Sequence, residues 1–101
     1  MKKYEHITKN ENILNEQIEK LGELENLLKY FEEYFNEYES LLNYYYSDER
    51  SQDLQDDEQH LIPDDLPRGV LSEDGIYNFI IDYRETAIHM LEVATKMLKE
   101  Q

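Results

Sequence analysis

Three histidines, His6, His60 and His89, are the side chains best suited to proton transfer or metal ligation, and their spacing serves neither. No two are four apart on a helix, as imidazoles sharing one metal would be, and none follows a glutamate by three residues as in di-iron bundles. The acidic run DDEQHLIPDDLPRG, residues 56–69, invites a calcium reading. It lacks the Asp-x-Asp-x-Asp-Gly register and the glutamate at loop position twelve, so no built calcium site is expected. Carboxylates stand in pairs throughout, but acid–base catalysis needs a pocket that separates two pKa values. No glycine-rich phosphate loop is present, and the serines lack a partnered base. The expectation is a non-enzymatic protein with no catalytic residue, no metal ligand and no cofactor.

Charge is the outlying property. Twenty-four acids against ten bases leave −14 over 101 residues. From Tyr30 to Pro67 there are twelve acids and one base, so −11 of that charge lies in one segment. A patch of this kind disfavours direct contact with nucleic acid or anionic lipid and suits a basic protein surface. The absence of cysteine excludes disulfides and thiolate metal sites. With no long apolar run and no signal-peptide core after MKKYEHITKNEN, a cytoplasmic, non-membrane setting is expected.

The elements that must carry these charges are helices. Ile7, Leu14, Leu21, Leu28, Phe35 and Leu42 recur every seven residues. Leu24, Phe31, Tyr38 and Tyr45 fill the companion row, which begins with Asn10 and Gln17, and Ile13, Leu27, Tyr34 and Leu41 form a third. Three adjacent rows make a stripe wide enough for two neighbours. Gly22 lies opposite, at a cost of roughly 1 kcal/mol relative to alanine. One helix over about 7–46 is predicted.

A second helix is predicted over about 73–99. Ser72 is its N-cap, Glu73 and Asp74 favour the first turn, and Ile76, Tyr83, Met90 and Met97 make one apolar row. Between the two lies an acidic connector, 47–71, with a short polar helix over 48–59. Pro63 and Pro67 stop any continuous helix there. Leu61, Ile62, Leu66, Val70 and Leu71 are expected to fold back as an apolar plug. The architecture read from this order is all-α: a single domain, 1–101, with the long and second helices packed antiparallel as a helical hairpin. The long helix outruns the second, so a homodimer is expected to cover the surplus.

Tyr34, Tyr38 and Tyr45 belong to the stripe and are expected to pack in the core. Tyr30, Tyr44 and Tyr46 fall beside it, among carboxylates. With Glu32, Glu33, Glu37, Glu39, Asp48, Glu49, Asp53, Asp56, Asp57 and Glu58 they form the candidate partner-binding set, suited to arginine-rich grooves through ion pairs and cation–π stacking. Arg68, nearly alone as a base in the acidic region, reads as a structural bridge between connector carboxylates.

The segments YYYSDERSQDLQDDE, LIPDDLPRGVLSEDGIYNFI and ETAIHMLEVATKML resemble a family of small acidic bacterial proteins known only as a domain of unknown function. The Leu-x-Arg-Gly-Val-Leu-Ser-Glu-Asp block, here Leu66 to Asp74, carries the likeness, and Arg84 fits it. The resemblance covers roughly residues 10–98 and implies an all-helical fold, a bacterial or phage origin and no assigned activity. Gly75 stands where such relatives usually have alanine, implying a looser start to the second helix.

The functional expectation is an acidic interaction protein. Its sharpest form is a nucleic-acid mimic that occupies the basic groove of a DNA- or RNA-binding protein, in the manner of phage inhibitors of defence nucleases, anti-CRISPR proteins included. The alternative is a structural or self-associating helical module.

Overall fold

A computed structural model describes residues 2–99, and these are helical with no strand among them. The chain divides into two compact units, Met1–Leu42 and Asn43–Gln101. The all-helical reading, with long N- and C-terminal helices and a short helix in the connector, is what the structure has.

The first unit is built on α1, Glu5–Glu33, and the opening turns of α2, Phe35–Tyr45. The run contains no proline, and its leucines, glutamates and lysines lose little rotamer freedom in a helix. Glu5 lies in the first turn, where the helix dipole favours an anion. The helix expected over 7–46 is thus two segments, divided at Tyr34. There φ is −102° and ψ is 20°, and the Tyr34 N–H still donates to the Tyr30 carbonyl at 2.9 Å. The Glu37 N–H closes onto the Tyr34 carbonyl at 3.0 Å, a tightened turn of the 3₁₀ kind. The break falls in a cluster of rings: Tyr30 lies 4.9 Å from Tyr34 and 5.3 Å from Phe31, and Phe35 lies 6.2 Å from Tyr38. Aromatic side chains lose χ1 freedom against the preceding turn, and here several do so together.

In the second unit every change of direction is capped. Ser47 has extended φ/ψ (−88°, 159°); its Oγ accepts from the Arg50 N–H at 3.1 Å and donates to the Tyr44 carbonyl at 2.6 Å. It starts α3, Asp48–Glu58, with Asp48 and Glu49 in the first turn. α3 ends in a Schellman motif. The His60 N–H donates to the Asp57 carbonyl at 3.1 Å and the Leu61 N–H to the Asp56 carbonyl at 2.9 Å. His60 takes the left-handed position at φ 59° that glycine usually fills.

A 3₁₀ turn, Gly69–Leu71, packs against both α3 and α4, Gly75–Lys99. Ser72 joins it to α4: its Oγ donates to the Gly69 carbonyl at 2.7 Å and accepts from the Gly75 N–H at 3.0 Å. Glu73 and Asp74 therefore lie in the capping turn, and the helix predicted from 73 begins at 75. A Cβ on residue 75 would stand 2.6 Å from the Gly69 oxygen and 2.5 Å from Ser72 Oγ. The glycine thus permits a close approach, where the sequence suggested looseness.

Ile76, in the first turn of α4, is 4% exposed and is the one buried side chain among the described residues. Of the expected apolar plug, Ile62 and Leu71 are half-buried, while Leu61, Leu66 and Val70 are exposed.

Candidate interaction surfaces

On the first unit, Tyr30, Glu32 and Glu33 occupy the last turn of α1, and Glu37 and Glu39 lie on α2; all five are exposed. The heptad row on the same helices is exposed as well. Ile7 is 56% exposed, Leu14 54%, Leu21 48%, Leu28 44% and Phe35 46%. Phe31 and Tyr34, expected in a core, are each 46% exposed, whereas Tyr38, Leu41, Leu42 and Tyr45 are half-buried. Carboxylates thus border an accessible apolar stripe. Sequence reasoning placed the acids on the surface and found the stripe beside them but expected it to be packed in a core, because heptad periodicity marks a face to be covered without naming its cover.

On the second unit the candidate residues fall into two groups. Tyr46 (77% exposed), Asp48, Glu49 and Glu58 are exposed. Tyr44, Asp53, Asp56 and Asp57 are half-buried and engaged within the connector. The Tyr44 hydroxyl donates to Asp53 Oδ2 at 2.6 Å. Its pKa is pushed up from 10.0 to about 12, first by burial, then by the hydrogen bond to Asp53 and that carboxylate's charge; Arg50 opposes the shift and Glu49 adds to it. Asp56 accepts from Gln52 Nε2 at 3.0 Å one helical turn away. Asp57 Oδ1 lies 3.3 Å from Arg68 Nε.

Two guanidinium groups fix this connector. Arg68 Nη1 donates to the Pro63 carbonyl at 3.3 Å and more loosely to that of Ile62 at 3.5 Å while Nε faces Asp57. Arg50 lies over the Tyr45 ring at 4.8 Å, and its Nε donates to the Val70 carbonyl at 3.1 Å. Sequence reasoning singled out Arg68 and passed over Arg50. Its cue was available: Arg50 is the one base among the acids of 31–67, five residues beyond a stripe tyrosine.

Among the described residues, no three His, Asp or Glu side chains are grouped to hold a metal ion, and no helix is long and apolar enough to cross a membrane.

No curated protein and no solved structure matches the chain. A family model does, over residues 7–93, which include both the heptad stripe and the capped connector. The chain belongs to the family described as domain of unknown function DUF4298.

Proposed function

We propose that this chain is a non-enzymatic, cytoplasmic interaction module that engages a helical protein surface through the apolar stripe of α1 and α2. The observation that carries the reading is the exposure of the heptad row from Ile7 to Phe35. Burying apolar surface contributes roughly 25 cal/mol per Å², so a row of this length is a strong drive to associate. The bordering carboxylates keep the face away from nucleic acid and anionic lipid. The test replaces Leu21 and Leu28 together with aspartate in a tagged chain. Helical content by circular dichroism stays near that of the parent, and the chain ceases to retain its protein partner, whether another protein or another copy. Retention equal to that of the parent chain overturns the reading.

A second reading rests on a separate observation, the outward-facing carboxylates of each unit. Glu32, Glu33, Glu37 and Glu39 on the first, or Asp48, Glu49 and Glu58 on the second, stand in for phosphates against a basic groove. Under this reading the chain inhibits a nucleic-acid-binding protein. Its complex weakens steeply with added salt and is displaced by duplex DNA. A complex indifferent to both removes it.

A further inference from the structure

We infer that the partner of the α1–α2 stripe is a second copy of this chain, parallel and in register with the first. This rests on the interaction reading above and names its partner.

Length is the first ground. Residues 5–42 make about 57 Å of helix summed along α1 and the first turns of α2, whereas the 25 residues of α4 make about 38 Å, so α4 is too short to cover the stripe from end to end. A second copy supplies a stripe of equal length. About 57 Å by the 10–12 Å width of a helix gives roughly 600 Å² of face, near the ~800 Å² per partner of a stable complex.

Charge selects the orientation. One flank of the stripe carries Glu11, Ile18, Glu25, Glu32 and Glu39 at heptad spacing, all acids but Ile18; the other carries Ile13, Lys20, Leu27 and Tyr34 and has no acid. In an antiparallel pair each flank meets its own kind, setting carboxylate against carboxylate along most of one edge. In a parallel pair the acidic flank faces the other one. Lys20 then lies across from Glu25 of the second copy, five positions on, as oppositely charged flank residues pair in parallel coiled coils. Within the single chain Lys20 holds Glu23 at 3.4 Å, and both side chains are more than half exposed, so either contact is open to it.

The polar members of the companion row give the register. Asn10 and Gln17 stand where Leu24 and Phe31 continue the row. A side-chain amide both donates and accepts, so each residue is its own complement across a parallel, in-register axis. Asn10 Nδ2 donates to the His6 carbonyl of its own helix at 2.8 Å, which leaves its Oδ1 to accept across the axis; an antiparallel or shifted pair sets that oxygen and the Gln17 amide against apolar residues.

The chain's lack of cysteine makes the test direct. The parent chain sediments at twice its 12.3 kDa mass at micromolar concentration. Gln17→Cys and Leu28→Cys, each alone under mild oxidation, give mostly self-linked dimers, because a parallel pair brings like positions within the ~4.4–6.8 Å Cα separation a disulfide needs. Linkage that appears only when the two variants are mixed means an antiparallel pair and overturns the orientation. A monomer overturns the self-association. If that monomer still retains another protein in a manner lost with Leu21→Asp and Leu28→Asp, the interaction reading survives; if it retains none, both fall.

Discussion

Tyr44, in the last turn of α2, donates its hydroxyl proton to Asp53, in the middle of α3, and so pins two successive helices across the Ser47 corner at 2.6 Å. Both side chains are half-buried, and the bond joins a neutral donor to a charged acceptor. Tyr44→Phe keeps the ring and removes the bond. Urea unfolding should show a loss of about 1 kcal/mol, as for a single partly exposed hydrogen bond. The pH dependence has a defined sign. The folded-state pKa, about 12, lies above the ordinary 10.0, so the folded chain holds this proton more tightly than the unfolded one. The contribution is whole below pH 10 and is lost as pH rises through the interval between the two values. Parent and Tyr44→Phe should therefore converge in stability on going from pH 9 to pH 12.

Arg68→Ala removes the contact to Asp57 and the bonds to the Ile62 and Pro63 carbonyls together. The group is partly exposed, so the loss should be about 1–2 kcal/mol, read as a lower melting temperature. Arg68→Lys should recover only part of it, since an ammonium cannot present the two-sided fork that reaches carboxylate and carbonyl at once.

The two glycines tested by alanine should move stability in opposite directions. Gly22 has open space where its Cβ would stand and lies inside α1, so Gly22→Ala should stabilise by about 0.5–1 kcal/mol. At Gly75 the same change drives a methyl group into the Gly69 carbonyl and the Ser72 cap, and should destabilise by about 1–3 kcal/mol. Thermal melts of the two variants beside the parent chain check both signs.

His60→Gly should stabilise by up to about 1 kcal/mol, because the left-handed φ at the end of α3 strains any residue with a Cβ. A variant no more stable than the parent would mean that the imidazole itself contributes at this cap.

Most of the helical order was legible because its signals are local. Ser72 caps α4 as its residue type and position suggest, and α3 lies within one residue of its expected span. The break at Tyr34 was not legible, since the apolar periodicity continues through it and only the backbone, with its tightened turn from Tyr34 to Glu37, departs from the regular helix. His60 escaped notice because a C-terminal cap is sought at glycine, and here histidine takes that role. Among the candidate residues, the outward placement of Glu32, Glu33, Glu37 and Glu39 was readable from the helix face. The pairing of Asp53 with Tyr44 was not. Nine residues and a helix corner separate them, and they meet only because Ser47 sets the angle of that corner.

The capped connector also has a kinetic consequence. The bonds at Ser47, His60, Arg68 and Ser72 each join residues no more than eleven apart, and the longest reach, from Arg50 to Val70, spans twenty. Closing short loops costs little chain entropy, and folds made of such contacts form in microseconds to milliseconds. Ribosomes add roughly 5–20 residues per second. The corner at Ser47 and the end of α3 can therefore set while α4 is still being made, so that the last helix is added to a connector already in place.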